Sequence, residues 1–377
     1  MTTEQLERAV LAFVNDRLLR GTAPVTANDR LFEDGHLDSL RVLELIAFVE
    51  QATRRNVPDR TVRLATFRSV RAIARAFGDD GRVADAAPEP LYEYHTTPER
   101  FASPLDELRR RGELLDAPDG SPRLAGLGLR LFGFFDAAFS RWARELGADD
   151  IAAPASIPVA TLERAGFLAS FPQLLLRRED AESQAHSPAA CYHRYAALAD
   201  TALDRPAVLG VHARCRRAES HPQPLERATE FTMREVVVLG THQDVERVRH
   251  RLLRRVDRFV TALALDGAIE PASDPFFTTA SAGKALAQQA GELKLELRLS
   301  LEGGRRLAVA SFNRHHDYFG RSFGISLHGA PAHSGCVAFG IERWVLAYLT
   351  QHGFDERAWP APVRDGLEVQ RARAALS

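Results

Sequence analysis

Alternation of apolar and polar positions is densest between residues 208 and 240. Val208 to Arg217 and Glu230 to Leu239 are two arms rich in β-branched residues, and they flank a polar loop with Pro222, Pro224, Glu226 and Arg227. Period-two runs on either side of turn residues predict an antiparallel hairpin. Helical periodicity surrounds it. Glu4 to Leu19 carries Leu6, Val10, Phe13, Val14 and Leu18 on one stripe, and a second helix starting at Ser39 has Val42, Leu43, Leu45, Ile46 and Val49 as its apolar face. A short segment at Thr66–Phe67 leads to a third helix, Ser69 to Phe77. Leu129 to Leu146 predicts a helix with Phe132, Phe135, Phe139 and Trp142 on one face, and Val159 to Leu168 predicts another. Thr241 to Leu265 is a helix opened by a capping-box-like Thr241 and Asp244. Leu293, Leu295, Leu297 and Leu299 then alternate with Lys294, Glu296, Arg298 and Ser300, a strand whose polar face, Glu296 included, is expected to line a pocket. Gly335 to Leu349 reads as strand, glycine turn and helix. Between Asp79 and Pro90 there is no apolar period, only Ala, Asp and Pro, which marks a linker.

Composition narrows the chemistry. The 377 residues are 26% charged and 45% hydrophobic, enough for more than one globular unit, and the formal net charge of −1 gives no bulk attraction to nucleic acid or an anionic membrane. No apolar run approaches a membrane span and the first residues lack a signal-peptide core, so no membrane is expected as partner. Three cysteines are too few for a disulfide framework, which points to the cytoplasm. Lys284 and Lys294 are the only lysines, and neither a G-x-x-x-x-G-K-[ST] loop nor a G-x-G-x-x-G turn is present, so ATP, if bound, has to be held by arginines. The hairpin mouth offers them. Arg217 and Glu219 leave the first arm, and Phe231 and Glu235 lie on the second. A guanidinium clamps a phosphate with two parallel hydrogen bonds and a phenyl face holds a purine, so one hairpin carries parts for both ends of ATP.

Residues 1–78 resemble an acyl or peptidyl carrier domain, through Asp38-Ser39-Leu40 preceded by Leu31-Phe32 and Gly35 within a four-helix pattern. The resemblance implies a 4′-phosphopantetheine arm on Ser39, added by a phosphopantetheinyl transferase and able to carry a thioester. A serine at a helix N-terminus puts that phosphate near unpaired N–H groups. Residues 79–90 then tether the carrier to a larger domain, residues 91–377.

That larger domain resembles the class II aminoacyl-tRNA synthetases: α+β, an antiparallel sheet flanked by helices. The Leu129–Leu146 helix with Asp149–Asp150–Ile151 and Pro154 resembles the dimer-forming first motif, which implies a homodimer. The hairpin resembles the second motif, and Gly340, Glu342 and Arg343 resemble the third. Carried over by position, Arg217 holds the α-phosphate of ATP and Glu219 contacts the adenine or the amino-acid side. Phe231 stacks on adenine, and Arg343 closes the other face of a purine sandwich. Ser311 and Asn313 resemble the S-x-N segment of seryl-tRNA synthetases, whose asparagine faces the substrate.

In the class II plan Cys191 and Cys336 abut the amino-acid pocket, and Glu235 closes the hairpin beside them, with Glu230 as the competing carboxylate. Cys, Glu and Cys leave one tetrahedral position open, which suits a zinc ion that binds a ligand. This resembles the atypical zinc-dependent seryl-tRNA synthetases and their shortened homologues, the amino acid:[carrier protein] ligases. Cys215 is expected to be packing only; His193, His315, His316 and His333 are candidate metal ligands, with surface or polar-pocket places the expected outcome. Residues 91–124 are too few for a tRNA-gripping arm, and a carrier stands where one would be. The resemblance therefore implies ATP- and Mg²⁺-dependent activation of a small amino acid (glycine, alanine or serine) and its transfer to the pantetheine thiol of the chain's own or a partner's carrier domain. No tRNA is expected as partner. A tRNA-charging synthetase with a fused carrier, and a synthetase-like binding protein without catalysis, are the other readings.

Overall fold

The computed structural model describes residues 1–19, 23–31, 36–37, 39–55, 57, 64–79, 90–96, 104–116, 121–272 and 293–374. The chain divides into two compact units, one of residues 1–90 with 270–295 and one of residues 91–269 with 296–377.

In the first unit, helix α1 (Thr3–Phe13) is capped by Thr2, whose side chain and Gln5 form a capping box, and it runs on as a wider π-turn at Val14–Leu18. Helix α2 spans Ser39–Thr53, a short α3 spans Leu64–Phe67, and α4 spans Val70–Phe77 behind an N-cap at Ser69. Leu6, Val10, Val14 and Leu18 from α1 and its extension meet Leu45, Ile46 and Val49 of α2 and Phe67, Val70 and Ile73 in one core. Phe13 packs at its edge, stacked on Phe48 at 4.1 Å between ring centroids. Phe32, Gly35 and Asp38, residues 80–89 of the expected linker, and the side chains of Ser39, Leu40, Val42 and Leu43 lie outside the described residues.

The second unit is built on a sheet. In chain order its strands are β1 (Tyr92–Tyr94), β2 (Asp149–Ala152), β3 (Ala207–Arg216), β4 (Glu230–Gly240), β5 (Gly267–Pro271), β6 (Lys294–Ser300), β7 (Arg306–His316) and β8 (His333–Gly340). Across the sheet the order is β1-β5-β6-β7-β8-β4-β3-β2. β3 and β4 are the expected hairpin, antiparallel with Glu230 opposite Arg216. β4 pairs antiparallel with β8 and β8 with β7, while β2 runs parallel to β3 at the far edge. Helices α5 (Gly126–Glu145), α7 (His242–Ala262) and α8 (Ile341–His352) pack on the sheet, and a short α6 (Cys191–Ala197) precedes the hairpin. Phe135, Phe139 and Trp142 of α5 enter an aromatic cluster with Phe259, Phe339 and Trp344. Among the described residues no helix is long and apolar enough to cross a membrane.

Three local expectations need correction. The helix expected over Val159–Leu168 is two pieces, Val159–Arg164 and Phe167–Ser170, parted by Gly166 at φ 68°. Phe132 is only half-buried on α5, which turns Leu131 and Phe135 to the core. The polar face of β6 is largely covered: Glu296 is buried and pairs at 2.9 Å with Arg298, whose own side chain stays 38% exposed.

Candidate active site

Register fixes what faces what. On β4, Glu235 stands opposite Ala338 of β8 and Val237 opposite Cys336, while Cys336 stands opposite Asn313 of β7. Side chains two apart share a face of a strand, so Glu235, Cys336 and Asn313 come to one side of the sheet. Helix α6 brings Cys191 to that same group: ligand atoms of Cys191, Glu235 and Cys336 all lie within 4.8 Å of one another, and all three residues are buried.

The backbone entering α6 holds the carboxylate. Ala190 N–H and Cys191 N–H both donate to Glu235 Oε1, at 2.8 and 3.2 Å. These are unpaired amides of a helix start, which favour negative charge. Burial, with the Cys336 charge adding to it, nonetheless pushes the Glu235 carboxyl up to about 8. The two thiols are linked. Cys191 hydrogen-bonds to Cys336, which draws the Cys336 thiol well below its ordinary range, and His315 and Asn313 act in the same direction. The amide of Asn313 reaches Cys336 Sγ at 3.4 Å and Ser311 Oγ at 3.0 Å. Tyr195 OH and Ser334 Oγ approach His315 Nδ1 at 3.3 and 3.5 Å. The Cys336 sulfur is thus surrounded by donors, and the pocket brings together two thiols, a carboxyl group and an imidazole.

Glu230, the other carboxylate considered for this set, pairs instead with Arg214 and with Arg216 at 3.6 Å on the outer arms of the hairpin. His193 bonds Ser187 Oγ at 3.0 Å, and Cys215 is buried in the apolar cluster, where burial raises its thiol.

The nucleotide end lies at the hairpin mouth. The Arg217 guanidinium stands 5.1 Å from the Phe231 ring centroid and donates to Pro188 O at 2.8 Å. Arg343, in the first turn of α8, donates to Glu226 O at 2.8 Å and Ala308 O at 2.9 Å. Burial and then the nearby Arg217 cation lower Arg343 from its ordinary value, while Glu296, Glu219 and Glu226 oppose them. An anion bound beside Arg343 would offset that cost. Glu219 is engaged by Arg227 across the loop. Glu342 turns away from this pocket and accepts the Thr232 N–H at 2.9 Å, a brace between α8 and β4. Gly340, at the start of α8, has φ −92°, and a Cβ added there would meet the Arg343 side chain at 3.6 Å.

Similarity to known proteins follows the same lines. The chain is 37% identical over 262 residues to amino acid–[acyl-carrier-protein] ligase 1 of Bradyrhizobium diazoefficiens, covering 62% of this chain and 80% of that one. It is 37% identical over 250 residues to ligase 2 of the same organism, covering 58% and 74%. The chain belongs to the amino acid–[acyl-carrier-protein] ligase family. ATP-dependent ligase activity goes with that membership. A type-2 serine–tRNA ligase of Methanopyrus kandleri is 31% identical over 156 residues, 38% of this chain and 29% of its own length. The fold matches the seryl-tRNA synthetase of M. kandleri, solved with a tRNA of A. aeolicus, at a TM-score of 0.65 and 22% identity over 80% of this chain and 68% of that one. It also matches the ATP-bound synthetase of Pyrococcus horikoshii at 0.56 and 16% identity, over 73% and 64%. No family model matches the chain.

In this ligase, sequence reasoning named His315 without joining it to the cysteine group, and passed over Tyr195 and the Ala190 amide. The signal for His315 was available: Ser311, Asn313 and His315 are spaced by two on one strand, so a face assigned to Asn313 carries His315 as well. Tyr195 and the Ala190 N–H reach the site only through the placement of α6, which no periodicity encodes.

Proposed function

We propose that the chain activates a small amino acid (glycine, alanine or serine) as its adenylate and passes the aminoacyl group to a phosphopantetheine thiol. In the first step a carboxylate oxygen of the amino acid attacks the α-phosphorus of ATP and pyrophosphate leaves. In the second, the pantetheine sulfur attacks the acyl carbon and AMP leaves. The observation that carries the reading is the buried Cys191–Glu235–Cys336 group, together with Arg217 and Arg343 near enough for one charge to act on the other.

The donor set fits zinc. Two thiols and a carboxylate, one thiol already favouring its thiolate, are buried at mutual distances compatible with a tetrahedral ion, whose ligand atoms stand about 3.8 Å apart for sulfur. Zinc held there supplies a Lewis-acidic fourth position for the neutral amine of the substrate. Magnesium would supply charge neutralisation of the ATP phosphates. Asn313 and His315 keep the Cys336 sulfur anionic, and the amides of Ala190 and Cys191 orient Glu235. Arg217 and Arg343 would bear the phosphate charge as it develops, with no covalent enzyme residue required. A purine between Phe231 and Arg343 would take the ring face away from Arg217. The acceptor would be Ser39, the first residue of α2, where a phosphate meets the helix N-terminus.

An amine fixed at the cysteine group and an adenylate fixed by Arg217 leave little room for a side chain. ATP–pyrophosphate exchange should therefore run with glycine and alanine, and weakly with leucine or phenylalanine. A methyl-sized pocket separates glycine from alanine by only about 1–3 kcal/mol. Intact-protein mass should show the thioester on pantetheinylated chain. Charging of total tRNA at a rate matching thioester formation would replace this reading with a tRNA synthetase.

A further inference from the structure

On the other face of the sheet lies a second group of metal-binding side chains. His242 is the first residue of α7, His316 the last of β7 and His333 the first of β8. One ring nitrogen of each lies within 4.8 Å of the others. The rings of His242 and His333 are 5.8 Å apart, and those of His316 and His333 6.3 Å. They lie on the side of α7, which carries His242 itself and whose Glu246 pairs with Arg314, two residues before His316.

Two further observations mark the group as built. The Nδ1 of His333 is buried without a hydrogen-bond partner, a cost the fold carries unless something else takes the lone pair or proton. His316 is held at φ 49°, in the left-handed region, and the ladder between β7 and β8 shifts there, between Arg314 and His316, which turns its ring towards the other two. The surrounding cations are matched by acids: Arg314 faces Glu246 at 3.5 Å, and Arg321 bonds Asp317 at 2.7 Å.

From this geometry we infer a second metal site, a three-imidazole centre of His242, His316 and His333 for a borderline divalent cation such as zinc, with a fourth position left to water. Three imidazoles and no thiolate suit zinc, nickel or copper over magnesium or calcium. Bound there, the ion ties the start of α7 to the strand ends that carry His315 and Cys336. This site is independent of what the cysteine group holds.

Cobalt(II) separates the two, because thiolate ligands give intense near-ultraviolet charge-transfer absorption and imidazoles only weaker visible bands. The metal-free full chain should take up about two cobalt ions, one with the thiolate signature. A His316→Gln/His333→Gln variant should take up about one, with the thiolate signature intact. A Cys191→Ser/Cys336→Ser variant should keep about one without it, and cobalt should raise its Tm. Circular dichroism would establish that each variant is folded. A wild-type chain that takes up a thiolate-bound ion alone, or a folded histidine variant that still takes up both, would overturn the inference.

Discussion

Arg234 offers a quantitative test of how the frame supports the site. Its guanidinium makes a two-pronged contact with Asp136 of α5, at 2.7 and 3.3 Å, and reaches Asp150 of β2 at 3.0 Å. The Arg234 side chain is 8% exposed and the two carboxylates 27% and 28%. Arg234→Met keeps most of the buried stem but strands two partly covered acids. Charged hydrogen bonds of this kind contribute about 1.5–3 kcal/mol each, and partial solvent access of the acids reduces the loss, so about 2–4 kcal/mol is expected. That corresponds to a Tm lowered by roughly 5–10 °C. His212 stands opposite Arg234 on β3 and gives the effect a pH signature. Burial and then Arg234 lower His212 from its ordinary 6.5, while Asp136 and Asp150 pull it up. In the wild type the native state therefore binds fewer protons than the unfolded chain just below pH 6.5, and stability is lost as pH falls through that window. Without Arg234 the His212 value rises, so this acid loss shrinks and the variant's deficit should be smaller at pH 5.5 than at pH 8. Urea unfolding at both pH values measures it. Adding Asp136→Asn and Asp150→Asn should recover most of the loss, since a neutralised pair strands no charge. A deficit under 1 kcal/mol at pH 8, or one that grows towards pH 5.5, would refute the reasoning.

If the cysteine group holds zinc, Cys336→Ser should lose that metal and abolish amino-acid-dependent pyrophosphate exchange; elemental analysis beside the exchange assay checks both, and full exchange without metal would count against a role for the ion. Ser39→Ala should abolish the pantetheine mass increment and leave exchange nearly unchanged, because the adenylate-forming residues lie in the other unit; loss of exchange would mean that the carrier helps to form the site. Gly335→Ala should destabilise by about 1–3 kcal/mol in chemical denaturation, since its Cβ would come within 2.7 Å of Asn313 O and of a Val245 methyl.

Much of this was legible in the chain because it is local. The hairpin arms, the Thr241 capping box and the stripe on α1 are patterns of neighbouring residues, and each appears where its period predicts. What was not legible depends on register or on covering elements. Glu235 and Glu230 lie on one strand, and only the pairing of β4 with β8 sets Glu235 beside the row of Cys336 while Glu230 meets the arginines of β3. The alternation of β6 reports which side chains are polar and says nothing about whether they are covered; the Glu296–Arg298 pair allows the covering. The three histidines come from distant segments, and no spacing in the sequence joins residue 242 to residues 316 and 333.

A period of two divides the labour of the central strands. Glu235, Asn313, His315, Ser334 and Cys336 fall on the face covered by α6, where the chemistry is. Their chain neighbours Arg234, Arg314, His316 and His333 fall on the other, against α5 or α7. A slip of one residue between β4 and β8 would exchange the two sets, putting a guanidinium among the thiols and a lone carboxylate against α5. The ion pairs of Arg234 and the crowded contact at Gly335 each penalise that slip. The second face therefore holds the register that keeps a carboxylate and two sulfurs together. If the cysteine group holds zinc, Arg234→Met should weaken its retention before it changes the pocket's preference for one amino acid over another.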